Sequence, residues 1–136
     1  MAATALINID VSDLKAAEAF YTSAFGLQTG RRLGPAVLEL NGAGVAIYLI
    51  ETKAGSAATP AGEPRRFSRH WTPMHLDFVV DDLDAAVEAA RSAGAIEEKP
   101  VAAHDWGRIA QFADPFGNGF CIIQFSSQGY DAIAVG

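Results

Sequence analysis

His75 and Asp77 stand two residues apart in His75-Leu76-Asp77-Phe78-Val79, and in an extended strand that spacing puts an imidazole and a carboxylate on one face. Such a pair has the chemistry of a ligand-binding or acid–base histidine, with its ring oriented by Asp77 or by Asn8 from another strand. Cys121 could act as a thiolate ligand or nucleophile. It lies between Phe120 and Ile122 with no basic neighbour in sequence to lower its pKa, and this reads as an inert buried thiol. Tyr48, Trp71 and Trp106 offer ring faces on which a flat ligand could stack. Arg65, Arg66, Arg69 and His70 form a basic patch that could meet an anion, but in a segment rich in Gly, Ala and Pro the patch reads as solvated.

The elements that must position these groups occur twice. The segment Leu6-Ile7-Asn8-Ile9-Asp10-Val11-Ser12-Asp13-Leu14-Lys15-Ala16-Ala17 returns as His75-Leu76-Asp77-Phe78-Val79-Val80-Asp81-Asp82-Leu83-Asp84-Ala85-Ala86, which marks two copies of one supersecondary unit. In the first copy Ile7, Ile9 and Val11 share one strand face, and Leu6, Asn8 and Asp10 share the other. Asp13 suits a helix N-cap, Leu14, Ala17, Phe20, Tyr21 and Ala24 follow helical spacing, and Gly26 is placed to end the helix. Strands are expected near Gln28 to Arg32, Ala36 to Leu40 and Val45 to Ile50, separated by Gly34-Pro35 and Asn41-Gly42-Ala43-Gly44.

The second copy predicts a strand from Met74, a helix capped by Asp82 with Leu83, Ala86, Val87 and Ala90 on one face and ending at Gly94, and strands near Lys99 to Ala102, Arg108 to Ala113 and Gly119 to Phe125. The class is α+β: two βαβββ modules forming curved mixed sheets around a cleft. The expected organisation is a single domain over 1–136, with module one at 5–50, a linker at 51–73, module two at 74–126 and a tail at 127–136. In Asp114-Pro115-Phe116-Gly117-Asn118, Asp initiates a turn, Pro fixes φ, and Gly or Asn accepts a left-handed conformation.

A formal charge of −6 opposes the phosphate attraction on which nucleic-acid binding depends, so nucleic acid is not an expected partner. One cysteine excludes an internal disulfide, and no apolar run reaches the roughly 20 residues of a membrane span. A cytoplasmic location and no membrane partner are expected.

The doubled Val-x-Asp-Leu, the Phe20-Tyr21 helix closing at Phe25-Gly26-Leu27 and the Asp-Pro-x-Gly-Asn turn together resemble the vicinal oxygen chelate superfamily, over about residues 5 to 126. That superfamily holds glyoxalase I, bleomycin resistance proteins, extradiol dioxygenases and fosfomycin resistance proteins. The resemblance implies paired βαβββ modules around a cavity, a small-molecule ligand and a homodimer. It also implies four metal-ligand positions in the metal-using members. These fall on Leu6, on Ala46 or Tyr48, on His75 and on Cys121.

A catalytic divalent metal usually takes about three protein ligands, a number that His75 and Cys121 do not reach. The expected function is therefore a metal-independent, bleomycin-resistance-like binder with no cofactor. Its mostly apolar cavity is formed by Leu6, Asn8, Tyr48, His75, Asp77 and Cys121, with Trp71 or Trp106 near the mouth. The alternative is a glyoxalase-like lyase, isomerase or dioxygenase in which His75 is the base or, with Cys121, holds a divalent metal at an atypical site.

Overall fold

The computed structural model describes residues 1–136. They form two compact units, 1–68 and 69–136, so the boundary falls inside the segment expected to be a linker. In the first unit β1 (Ile7–Val11) leads into α1 (Leu14–Phe25), followed by β2 (Gln28–Arg32), β3 (Val37–Asn41) and β4 (Ile47–Glu51). The second repeats the order with β5 (Leu76–Val79), α2 (Leu83–Ala93), β6 (Ile96–His104), β7 (Gly107–Ala113) and β8 (Gly119–Phe125). The sheets run β1-β4-β3-β2 and β5-β8-β7-β6. In each, the first strand pairs parallel with the last and the other neighbours are antiparallel. The α+β class and the doubled βαβββ order are as the sequence implies.

Both helices start and stop on local chemistry. The Asp13 carboxylate accepts from Ala16 N at 3.0 Å and that of Asp82 from Ala85 N at 3.1 Å, satisfying N–H groups that a helix cannot bond internally. The first helical N–H of each is met from the last strand of its own sheet: Glu51 Oε2 accepts from Leu14 N at 2.8 Å and Gln124 Oε1 from Leu83 N at 2.8 Å. Gly26 and Gly94 close the helices in the left-handed region, at φ +64° and +109°.

Helix periodicity then sets the cores. Leu14, Ala17, Phe20, Tyr21 and Ala24 are buried along α1, over the inward residues Leu38, Leu40, Ile47 and Leu49 of its sheet. Leu83, Val87 and Ala90 are buried along α2, in a unit whose sheet buries Ala110, Phe112, Phe120 and Ile122. Ile7, Leu76 and Phe78 are half-buried, because β1 and β5 are the edge strands of their sheets.

Two expectations change, and the tail, open to packing on the module edge or fraying, packs. β6 runs over nine residues rather than four, and all nine are exposed, so it carried no burial pattern for the sequence to reveal. The segment 51–73 is not a loose connection: Ala57 bridges Pro64, and Arg65 pairs with Asp10 at 2.8 Å on the polar face of β1. The tail forms a short 3₁₀ turn at Gly129–Ala132, whose Tyr130 ring packs 4.7 Å from that of Phe125 and 5.5 Å from that of Trp106.

The turn between β7 and β8 is a hydrogen-bonded clamp. Asp114, 1 % exposed, accepts through Oδ1 from Phe116 N at 2.8 Å and Asn118 N at 2.9 Å, and through Oδ2 from Asn118 Nδ2 at 2.9 Å. Only Gly117 takes the left-handed conformation there, at φ +87°. Asp114→Ala is expected to lower unfolding free energy by about 2–4 kcal/mol in urea denaturation, since it orphans buried donors. Asp114→Asn, which keeps an acceptor oxygen, should recover part of the loss. A change below ~0.5 kcal/mol in Asp114→Ala, a typical neutral surface value, would show that the clamp does not hold the turn.

Candidate functional site

Strand register brings the chemistry of the second unit to one place. Asp77 on β5 lies beside Cys121 on β8, and Gln111 on β7 lies opposite the same cysteine. All three share the sheet face turned away from Phe120 and Ile122. His75, just before β5, places Nε2 3.2 Å from Asp77 Oδ1, and the ligating atoms of His75, Asp77 and Cys121 lie within 4.8 Å of one another.

Beside this cluster is a concavity of about 170 Å³, walled by His75, Gln111, Phe120 and Cys121. Arg69, Trp71, Thr72 and Gly119 complete it. Its lining is mixed rather than mostly apolar, because Arg69, Thr72 and His75 border it and strand alternation directs Gln111 to this face. The volume is below the roughly 300–1,000 Å³ that encloses a drug-sized ligand, so the concavity fits one end of such a molecule.

The Arg69 guanidinium is committed to Glu98, with Nε 2.7 Å from Oε2 and Nη2 3.1 Å from Oε1, while Nη1 donates to His70 O at 2.6 Å. It rests against Gly119, where a Cβ would fall 2.7 Å from Arg69 Cζ. Gln111 Nε2 donates to Glu98 Oε1 at 2.8 Å. The bond with Arg69 holds the Glu98 carboxyl below its usual range. Burial pushes the Cys121 thiol up to about 11, with the Asp77 charge and hydrogen bond adding to the rise. The inert-thiol reading of Cys121 therefore gains a physical cause.

The first unit carries the matching row. Asn8 lies beside Tyr48, and Glu39 opposite it, just as Asp77 and Gln111 flank Cys121. With Asn8 and Asp77 in matching places of the repeat, Tyr48 rather than Ala46 is the counterpart of Cys121. The Tyr48 hydroxyl donates to Glu39 Oε2 at 3.0 Å, and Arg31 Nη2 reaches the same oxygen at 2.6 Å. The bonds from Arg31 pull the Glu39 carboxyl down to about 2.

Of the residues singled out from sequence, His75, Asp77 and Cys121 come together and Trp71 lies in the same concavity. Asn8 and Tyr48 share a row of the other unit, and Leu6, 57 % exposed, precedes β1. Trp106 stands apart from the concavity, stacked on His104 at 5.1 Å and packed on Phe125 and Tyr130. Arg65 and Arg69 are ion-paired rather than simply solvated. Arg31, Glu39, Glu98 and Gln111 escaped the sequence reading. Only Glu39 left a signal, as a lone charge in the apolar run Val37-Leu38-Glu39-Leu40.

The profile of the glyoxalase-like domain family matches residues 6–123. The anthracycline biosynthesis protein DnrV of Streptomyces peucetius is 28% identical over 130 residues, covering 96% of this chain but 44% of that protein. The chain thus spans under half the length of that curated relative. Among solved structures, the fosfomycin resistance protein FosX of Listeria monocytogenes aligns with a TM-score of 0.70 at 19% identity, covering 94% of this chain and 97% of that one. A glyoxalase/bleomycin resistance protein/dioxygenase family enzyme of Burkholderia phytofirmans PsJN aligns with a TM-score of 0.66 at 23% identity, covering 89% and 97%.

Two pH-dependent outcomes follow from the geometry. The depressed Glu39 carboxyl contributes stability that is present above its ordinary value near 4.5 and is lost as pH falls toward 2. Acid titration of unfolding should show that loss in the wild type and a smaller one in Glu39→Gln; equal losses would mean that the pairing does not stabilise the fold. Iodoacetamide alkylation of Cys121 should be slow at pH 8 and rise only toward pH 11, with an earlier onset in Asp77→Asn. An unchanged onset in the variant would remove Asp77 as a cause.

Proposed function

The chain belongs to the glyoxalase-like domain family, within the vicinal oxygen chelate superfamily, and from that premise we propose that it binds a planar organic small molecule without a metal, in the manner of bleomycin resistance proteins. The observation that carries this reading is Trp71, an indole 81 % exposed at the concavity with no ring partner of its own. A flat ligand seated on it would remove apolar area from water at about 25 cal/mol per Å² and add a stacking contribution of roughly 0.5–1.5 kcal/mol. The concavity would hold one end of that ligand, with His75 and Gln111 fixing its orientation.

The donor set does not fit the superfamily's four-ligand metal site. Leu6 offers no donor, the Tyr48 hydroxyl is bonded to Glu39, and Cys121 remains a protonated thiol far above neutral pH. Asp77 brings an oxygen to His75 and Cys121, yet it also raises the thiol pKa, which opposes the deprotonation that a metal–sulfur bond requires. An enzymatic reading draws on one specific contact, the 3.2 Å approach of His75 Nε2 to Asp77 Oδ1, which orients an imidazole as a general base.

Native mass spectrometry of protein purified without chelator, with elemental analysis, tests the binder reading. Substoichiometric metal is expected, and added Mn²⁺ or Zn²⁺ should leave the melting temperature unchanged. Specific binding at a hundredfold excess over the dissociation constant would stabilise by about 2.7 kcal/mol. One tightly bound metal per chain, lost in His75→Ala, would overturn the metal-independent reading. Glyoxalase I turnover at an ordinary enzymatic rate would favour the base reading instead.

A further inference from the structure

The polar row beside the concavity is electrically lopsided. Across the sheet it runs Asp77, Cys121, Gln111 and then Lys99, which lies opposite Gln111 on β6. Asp77 is met by His75, while Glu98 gives both oxygens to Arg69 and shares one of them with the Gln111 amide. Lys99 is exposed and pairs with no carboxylate. Three strand spacings of about 4.8 Å put its backbone roughly 14 Å from that of Asp77, and no ion pair joins the two. The Lys99 charge still reaches the wall of the concavity: burial raises the Cys121 thiol, and Lys99 pulls against that rise. Donors are on hand as well. Gln111 Nε2 gives one N–H to Glu98 and keeps the other, and the bonds of Arg69 leave a second N–H on each terminal nitrogen.

Resting on the small-molecule reading above, we propose that Lys99 and the Gln111 amide form an acid-recognising subsite beside the concavity, which takes the carboxylate of a planar aromatic acid whose ring lies on Trp71. Gln111 belongs to both places, since it walls the concavity and faces Lys99. A carboxylate matches what is offered: one oxygen for the ammonium, the other for the spare amide N–H, and a single negative charge for a single unpaired cation. A dianion such as a phosphonate would bring a second charge beside Glu98, and a neutral ligand would leave Lys99 to water. Asp77, at the other end of the row, repels an acid group and so keeps it on the β6 side. Lys99 is then a specificity-determining residue.

The test is equilibrium dialysis of the full chain against three probes that share a naphthalene ring: 2-naphthoate, the uncharged 2-naphthalenemethanol and the dianionic 2-naphthylphosphonate. Mildly alkaline buffer with about 0.15 M salt screens charges farther than about 8 Å away. Naphthoate should bind about fivefold more tightly than the alcohol, the upper scale of an exposed ion pair, and more tightly than the phosphonate. Lys99→Gln should abolish the preference over the alcohol while leaving alcohol binding unchanged, and Lys99→Arg should restore it. Lys15→Gln, the same loss of charge at an exposed site on α1, should keep the preference, which separates a local contact from general attraction. Equal binding of naphthoate and the alcohol to the wild type, tighter binding of the phosphonate, or a preference that survives Lys99→Gln or is lost equally in Lys15→Gln overturns the acid subsite and leaves the small-molecule reading in place. Binding of none of the three up to millimolar concentration overturns both.

Discussion

The arrangement at the candidate site depends on the parallel pairing of β5 with β8. That register sets Asp77 beside Cys121, and the antiparallel β7 adds Gln111 across from the same cysteine. A slip of one residue would exchange this row for the Phe120 face and turn the polar groups toward α2. Several contacts oppose a slip. Phe120 stacks on Phe112 and meets Phe78 edge-on, each at 5.8 Å between ring centres. The Asp114 clamp fixes where β8 begins, and Gln124 fastens its far end to the first N–H of α2. The polar row is thus held by groups outside the row itself.

The same frame is built twice and given different chemistry. Glu51 and Gln124 do equivalent work at the starts of the two helices. Across the sheets, Asn8, Tyr48 and Glu39 occupy the places of Asp77, Cys121 and Gln111. Arg31 on β2 stands where the register shifts and ends the first row, whereas the second row ends at Lys99 on β6, opposite Gln111, with Glu98 beside it at a register shift and accepting from the Gln111 amide. A β-bulge re-aims a side chain at the cost of a local break in the ladder. In the first unit Arg31 meets a buried carboxylate and the row satisfies itself. In the second, Glu98 draws in Arg69 and the Gln111 amide.

What sequence revealed was local. Both N-caps, both glycine C-caps, the inward faces of the helices and the bounds of β2 and β8 follow from residues within a few positions of one another. The His75–Asp77 pair was legible because strand alternation is local too. The ion pairs were not. Arg31 and Glu39 are eight residues apart, Arg69 and Glu98 twenty-nine, and Arg65 and Asp10 fifty-five, and irregular registers or long connections decide each meeting. β6 was underestimated because Glu97, Glu98, Lys99 and Pro100 in an exposed edge strand give neither alternation nor an apolar run. Trp106 was misplaced for a related reason: its partners Phe125 and Tyr130 lie beyond the hairpin that carries it.

Burial decides what the site's sulfur can do. The register that brings Cys121 to His75 and Asp77 also leaves it buried in the middle of a sheet, where a thiolate loses hydration and faces a carboxylate. A metal or electrophile would have to overcome both penalties before a bond to sulfur formed, whereas an organic ligand meets a neutral, polarizable S–H group of modest polarity. Tyr48 at the corresponding place of the first unit is likewise occupied, by a hydrogen bond rather than by burial alone. The equivalent positions of the two units thus carry a hydrogen-bonded phenol and a buried thiol, two donors whose availability is governed by distinct physical routes.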